Sequence, residues 1–387
     1  MGTLNLTPVS TADYRREAEK KLPRFLFDYL DGGSYLERTL TANCVDFEAL
    51  QFKQRVLFDV SKVSPASSLF GYDLAIPAAM APIGMAGMLA QRAELQAKRA
   101  ADTVGIPFTL STVSICSLEE VAKVSEKKFW FQLYMLKDRG PVIEMLQRAK
   151  AVGVDTLIFT VDLAVLGARY RDIRNGLSGG TRYWGKLRSS MLSYMAHPSW
   201  AWQVGIKGKP HTFGNLEAYV PNASTPTDFQ AWIAQQVDPS VTWKDIEWLR
   251  KQWDGNLIIK GILSPEDAVA AVNNGADGIS VSNHGGRQLD GVSSAITMLP
   301  RVLDVVGNRC EVLVDSGVRS GADVLKARAL GAKAVLIGRP WAYAVAARGE
   351  TGIVNLLNTF KNEMQVAMAL TGVTHVDEID ERIFDRG

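Results

Sequence analysis

The sequence predicts an α/β protein built as a (β/α)8 TIM barrel, with N-terminal helices and a long insert after the fourth strand. Three observations predict it. Eight short apolar runs rich in Val, Ile and Phe recur along the chain. Amphipathic stretches such as "RAELQAKRAADTVG", "SPEDAVAAVNNG" and "SGADVLKARALG" stand between most of them, so strand and helix alternate as in parallel β-α units. The length, 387 residues, suits one barrel with insertions. An open eight-stranded sheet shares the alternation, but the count favours closure.

The elements follow in order. Residues 1–75 read as helices and connections. "TADYRREAEKKLPRFLFDYLDGG" has an N-cap signal at Thr11, a helical stretch, Pro23, and a second helix stopped by Gly32 and Gly33. The strands then read "IPAAMAPIG" (76–84), "IPFTLST" (106–112), "FWFQLY" (129–134), "TLIFTVD" (156–162), "LIIKGI" (257–262), "GISVSN" (278–283), "EVLVDSG" (311–317) and "AVLIGR" (334–339). Roughly a hundred residues separate the fourth and fifth, far more than a βα connection needs. This insert, about 170–240, is basic and rich in Trp, Tyr and Met. A loop of that size is expected to be either functional, as an active-site lid or a membrane-contacting surface, or mobile. The whole of 1–387 reads as one domain.

Composition narrows the classes. A net charge of +2 gives no nucleic-acid signature. Cys44, Cys116 and Cys310 form neither a disulfide framework nor a metal pattern, which fits a reducing compartment. The N-terminus has no apolar core of a signal peptide, and no run of about 18 apolar residues predicts a membrane-spanning helix.

In a barrel, chemistry belongs at the C-terminal strand ends. Nearly every one of those ends is polar here: after Ala81-Pro82-Ile83-Gly84 on the first come Ser111, Gln132 and Tyr134, Thr160 and Asp162, Lys260, Ser282 to His284, Asp315-Ser316-Gly317, and Gly338-Arg339. After the last two strands, glycine turns are followed by Arg319 and Arg339 and then by helices. Backbone amides at such a turn and an arginine hold phosphate, on the two loops where barrels usually bind it. Gln132 and Thr160 suit the polar edge of a planar heterocycle such as a flavin. Lys260 suits three jobs: a cation beside that heterocycle, a Schiff-base amine, or a structural ion pair. His284 can take a proton at neutral pH. Asp162 can orient its ring and stabilise the imidazolium. Arg287 offers a planar fork for a carboxylate, and Gly285 and Gly286 allow close backbone approach. His197, His211 and His375 stand in no ligand spacing with His284, so no metal is expected.

The motifs "SNHGGRQLD", "KLPRFLFDYLDGG", "FTLSTVS", "WFQLY", "FTVD", "IIKGI", "DSGVR" and "IGRP" give the chain a close resemblance to the FMN-dependent α-hydroxy-acid dehydrogenase and oxidase family, over about residues 10–375. "APIGMAGM", "GARYRDIRNGLSG" and "HPSWAWQVG" look most like its bacterial quinone-linked branch acting on L-lactate. The resemblance implies FMN and oxidation of an (S)-2-hydroxy acid, L-lactate to pyruvate first. Electrons would pass to membrane quinone or another respiratory acceptor. It also implies a peripheral place on the cytoplasmic side of the plasma membrane and a homotetramer. His284 would be the base paired with Asp162, and Tyr134 would bond the substrate hydroxyl. Tyr29, Arg287 and Arg169 would hold its carboxylate, and Val113 and Leu166 would shape the side-chain pocket. Lys260, Gln132, Thr160, Ser111, Ser282 and the backbone of Ala81, Pro82, Ile83 and Gly84 would line the flavin. Asp315 would bind the ribityl chain, Ser316 beside it would also contact the cofactor, and Gly317, Arg319, Gly338 and Arg339 would bind the phosphate. Gly84 departs from the oxidase-like members, which bears on oxygen access. An oxygen-using oxidase or a mandelate dehydrogenase is the near alternative, and a flavin-free phosphate-binding lyase or isomerase the distant one.

Overall fold

The computed structural model describes residues 7–175, 195–220, 232 and 235–385. Eight parallel strands form one sheet: β1 (Ala78–Met80), β2 (Thr109–Ser111), β3 (Trp130–Leu133), β4 (Thr156–Thr160), β5 (Asn256–Ile262), β6 (Gly278–Val281), β7 (Glu311–Asp315) and β8 (Ala334–Ile337). β1 pairs with β8, and the order then runs back to β2. An isolated parallel bridge, Met80 to Phe108, closes the barrel between β1 and β2. Above that seam the buried Glu94 carboxylate accepts from Gly87 N at 3.0 Å and Ile115 N at 2.9 Å, tying the loops after β1 and β2 together.

Strand alternation sorts the side chains. Trp130, Ile158, Ile258 and Leu313 point into the barrel with Ala79 and Leu336, as an inner apolar layer. Two residues further along β3, β4, β5 and β7 the same face presents Gln132, Thr160, Lys260 and Asp315, all buried. The other faces pack against the surrounding helices in one large core. At the opposite end a hairpin, Ser67–Leu69 with Tyr72–Leu74, plugs the barrel, with Phe70 and Tyr72 edge-on to Trp130.

Several expectations change. The first helix, Thr11–Lys21, is capped by Ser10 in a capping box with Asp13, one residue before Thr11. Helices occupy the N-terminal segment only to Ala49, and the hairpin follows. β1 stops at Met80, because beyond it Trp341 Nε1 donates to Ala81 O and the chain turns away. β5 reaches Ile262, as the run 257–262 predicts, through an irregularity at Gly261, so Lys260 lies inside the strand and not at its end. Of the insert, Trp200, Val204, Phe213 and Leu216 are buried against the body, whereas 176–194 and 221–231 lie outside the described residues.

Candidate active site

The site stands on the polar layer just above the apolar one. Lys260 Nζ lies 2.8 Å from Asp315 Oδ2 and 3.1 Å from Ser282 Oγ, and Ser282 Oγ donates to Asp315 Oδ2 at 2.8 Å. Burial would lower the Lys260 ammonium, but Asp315 and then Asp162 outweigh it and hold it above its ordinary value. Burial would raise the Asp315 carboxyl, and Lys260 outweighs that in turn. The amine therefore stays charged, which speaks against the Schiff-base role and leaves a fixed cation in the barrel mouth.

His284 sits where the chain leaves β6. Its φ is +58°, and those of Gly285 and Gly286 are +67° and +72°. Three successive left-handed residues reverse the chain, a conformation with a strain cost of order 1–3 kcal/mol at a non-glycine position. His284 N donates to Ser282 Oγ at 3.0 Å, and the Asn283 and Asn43 side-chain amides donate to each other at 2.8 Å, which fixes the turn. The ring then faces Asp162, with Nδ1 2.7 Å from Oδ1. Burial would raise the Asp162 carboxyl, but His284 and Lys260 hold it below its usual range. An ionised Asp162 makes Nδ1 the donor and leaves Nε2 its lone pair. For His284 itself burial wins over Asp162 and lowers its pKa, so the ring is neutral at pH 7.

Gly261 makes this pairing possible, and sequence reasoning missed it. Its φ is +106°, and a Cβ there would lie 2.6 Å from Asp162 Cγ. Gln288 was also missed. Its Nε2 donates to Asp162 O at 2.7 Å and to Val165 O at 2.9 Å, pinning the loop after β4. Its place inside "GGRQLD" was the available signal.

Over this floor lies a cationic mouth. Arg287 Nη1 donates to Tyr29 O at 2.5 Å and Gly32 O at 2.9 Å, and its guanidinium stands 4.9 Å from the Tyr29 ring centroid. Arg169 Nε donates to Arg287 O at 3.2 Å, and among the described residues its nearest carboxylate, Asp172, is 3.9 Å away. Burial and the Arg287 charge pull Arg169 down to about 10. Tyr134 is pushed up by burial and by Asp162, so its hydroxyl keeps its proton. The mouth thus offers two guanidinium groups, a phenol and a neutral imidazole to a small organic anion.

The remaining predicted residues divide. Ser111 Oγ donates to Gln132 Oε1 at 2.9 Å, whereas Gln132 Nε2 and Thr160 Oγ1 are buried without a hydrogen-bond partner among the described residues. Buried orphans of this kind call for a ligand, and an amide N–H beside a hydroxyl fits the carbonyl-bearing edge of an isoalloxazine. Ala81 N donates to Ile337 O. A Cβ on Gly84 would meet Val113 Cγ2 at 2.7 Å, so residue 84 and Val113 share one wall, while Leu166 is 55 % exposed. Pro82 and Ile83 lie in the same loop. Ser316 Oγ accepts from Gly285 N at 2.9 Å. Gly317 packs under residue 43, where a Cβ would be 2.0 Å from Asn43 O. Arg319 Nη1 donates to Val318 O, and Gly338 precedes the helical run Arg339–Thr371, which breaks at Gly349. Arg339 is committed further than its sequence position suggests: it donates to Leu30 O at 3.0 Å and to Gly285 O and Gly32 O at 2.9 Å. That leaves two of its five N–H groups for an anion.

Comparison with known proteins agrees with this chemistry. The family described as FMN-dependent dehydrogenase matches residues 18–386. An L-lactate dehydrogenase of Caulobacter vibrioides is 53 % identical over 374 residues, 97 % of each chain. One of Pseudomonas aeruginosa is 53 % identical over 370 residues, 96 % of each. The crystal structure of a monotopic membrane protein, (S)-mandelate dehydrogenase, superposes with a TM-score of 0.91 at 35 % identity, covering 99 % of this chain and 100 % of that one. A mandelate oxidase follows at 0.82 and 39 %, covering 98 % of both.

Proposed function

The chain belongs to the FMN-dependent dehydrogenase family and oxidises a 2-hydroxy acid, and from that premise we propose that its substrate is L-lactate and its electron acceptor a membrane quinone. The observation that carries the reading is the neutral His284 ring, held by Asp162 at 2.7 Å beneath the Arg169–Arg287 pair. FMN, when bound, supplies the acceptor for two electrons. Gln132, Thr160, Lys260, Ser111, Ser282 and the 81–84 backbone would hold its ring. Asp315 and Ser316 would meet its chain, and Gly317, Arg319, Gly338 and Arg339 its phosphate.

The residues divide the work by charge. Arg287 and Arg169, with Tyr29, fix the carboxylate, so the substrate's α-carbon is presented to His284 Nε2. Nε2 takes the proton, and Asp162 stabilises the imidazolium that forms. Tyr134 donates to the substrate oxygen. The same atoms serve whether the proton comes from carbon or from the hydroxyl. Gly84 and Val113 make a narrow wall that suits a small aliphatic group. The whole chain, 1–387, acts as one catalytic unit in a homotetramer.

Membrane contact is supported by the described part of the insert. Among the described residues no helix is long and apolar enough to cross a membrane. Met195, Trp202 and Ile206 nevertheless stay exposed, with Lys207 Nζ 5.5 Å from the Trp202 ring centroid. Apolar and aromatic groups beside lysine suit the headgroup level of an anionic bilayer on the cytoplasmic side.

Anaerobic titration of the purified protein with L-lactate, glycolate and (S)-mandelate tests the chemistry. The yellow flavin absorption is expected to bleach, with L-lactate most efficient. A colourless protein, or no bleaching by any of the three, would falsify the reading. Sedimentation with anionic vesicles tests the surface, and Trp202→Glu with Ile206→Glu is expected to release the protein. Equal partitioning of variant and parent rejects this face as the anchor.

A further inference from the structure

Tyr29 and Arg287 belong to the N-terminal segment and the loop after β6, whereas Arg169 belongs to the loop after β4. Both halves of the mouth lie beyond strand ends, so the barrel wall does not fix the span between them. Like charge pushes them apart, and Asp172, at 3.9 Å, is a weak counterweight for Arg169.

Gln288 already pins the start of the loop after β4 to the loop after β6, and contacts between 28–37 and 168–175 add a second tie, from the Arg169 end of that loop to the Tyr29 segment. Tyr35 N donates to Ala168 O at 2.8 Å. Arg171 forks, with Nη1 donating to Asp31 Oδ2 at 2.8 Å and Nη2 to Glu37 Oε2 at 2.5 Å. Asn175 Nδ2 donates to Asp28 Oδ2 at 2.8 Å, and the Tyr35 and Tyr170 rings meet edge-on. Asp31 is itself fastened to the body by Arg15 at 2.6 and 2.8 Å and by the Tyr343 hydroxyl at 2.7 Å. These partners hold the Asp31 carboxyl well below its usual range although burial alone would raise it. Gly32 leaves room for the Arg171 stem: a Cβ there would lie 3.2 Å from Arg171 Cδ and 2.6 Å from Asp28 O.

We propose, resting on the 2-hydroxy-acid reading above, that Arg171 is a positioning residue: it latches the Arg169 loop to the Tyr29 helix and sets the span of the carboxylate clamp. It touches no substrate atom. Its planar fork holds two carboxylates at a fixed spacing, which the single point charge of a lysine ammonium does not.

The test uses the flavin-loaded protein and pyruvate as the probe, with binding read from the shift of the oxidised flavin spectrum. Arg171→Met keeps the stem and removes the fork. The dissociation constant for pyruvate is expected to rise about tenfold, because a clamp misplaced by an ångström loses much of its grip. KM for L-lactate rises with it, kcat at saturation stays within about threefold, and Arg171→Lys recovers only part. An unchanged pyruvate constant in Arg171→Met, whatever its melting temperature, overturns the latch. Should that variant lose its flavin or fail to fold, Glu37→Gln removes one arm only, and an unchanged constant there overturns it equally. If the unaltered protein neither binds pyruvate nor bleaches with any 2-hydroxy acid, the functional reading fails first and the latch falls with it.

Discussion

Arg339 and Arg169 carry the same electrostatic burden, yet they sit in regions that use it differently. Burial pulls both down to about 10. Arg339, at the start of the helix that follows β8, spends three N–H groups on carbonyls at 2.9–3.0 Å from residues 30, 32 and 285. Arg169, at the mouth, makes two long contacts, 3.2 Å to Arg287 O and 3.4 Å to Gln288 Oε1. The first is a fastening that draws the N-terminal segment and the His284 turn onto the barrel. The second is a charge left under-satisfied, as the proposed hold on a carboxylate requires. A depressed arginine pKa alone does not separate these cases; the lengths and partners of the hydrogen bonds do.

That contrast can be sharpened by perturbing each region in turn. The largest effect is expected inside the mouth. His284→Gln removes the base and its imidazolium, so turnover falls by about three orders of magnitude or more while the flavin spectrum is retained. Stopped-flow reduction by L-lactate at near-parental rate would contradict the assignment. Next comes Arg339→Met, which strands three carbonyls and costs roughly 3–5 kcal/mol of stability. Thermal melting and flavin content report it, and an unchanged melting temperature would erase the distinction drawn above. Arg169→Lys keeps the charge but not the fork, so kcat/KM drops about tenfold with little change in melting. A large loss of stability in this variant would make Arg169 a second fastening. The smallest effect is on pH. The His284 ring must be neutral to act, and its pKa is lowered from 6.5, so kcat/KM is flat above that pH and falls as pH drops below it. An acid limb centred at or above 6.5 would show that Asp162 outweighs burial after all.

Much of this was legible because a barrel strand alternates. Ile158 and Thr160, Ile258 and Lys260, and Leu313 and Asp315 show the switch from carbon to polar atoms two residues on, and the sequence displays it directly. The pairing of His284 with Asp162 was readable as chemistry. Gly261 was not: its need arises from Asp162, 99 residues earlier, packed against its backbone. Arg339 reads as a phosphate ligand because its local pattern is a glycine turn before a helix. Its carbonyl partners lie up to 309 residues away and leave no local trace. The fork of Arg171 to Asp31 and Glu37 is invisible for the same reason, and Lys260 reads as a strand end because an irregular residue follows it.

One bridge, Met80 to Phe108, stands where the other strand pairs have ladders. A hoop hooked by a single catch would slacken there first, on the side that carries Gly84 and Val113. Glu94 serves as the buckle: with Gly87 N and Ile115 N on one oxygen, a side chain does the job of absent rungs. The tightness of the wall built by Gly84 and Val113 is therefore tied to a carboxylate that lies behind it.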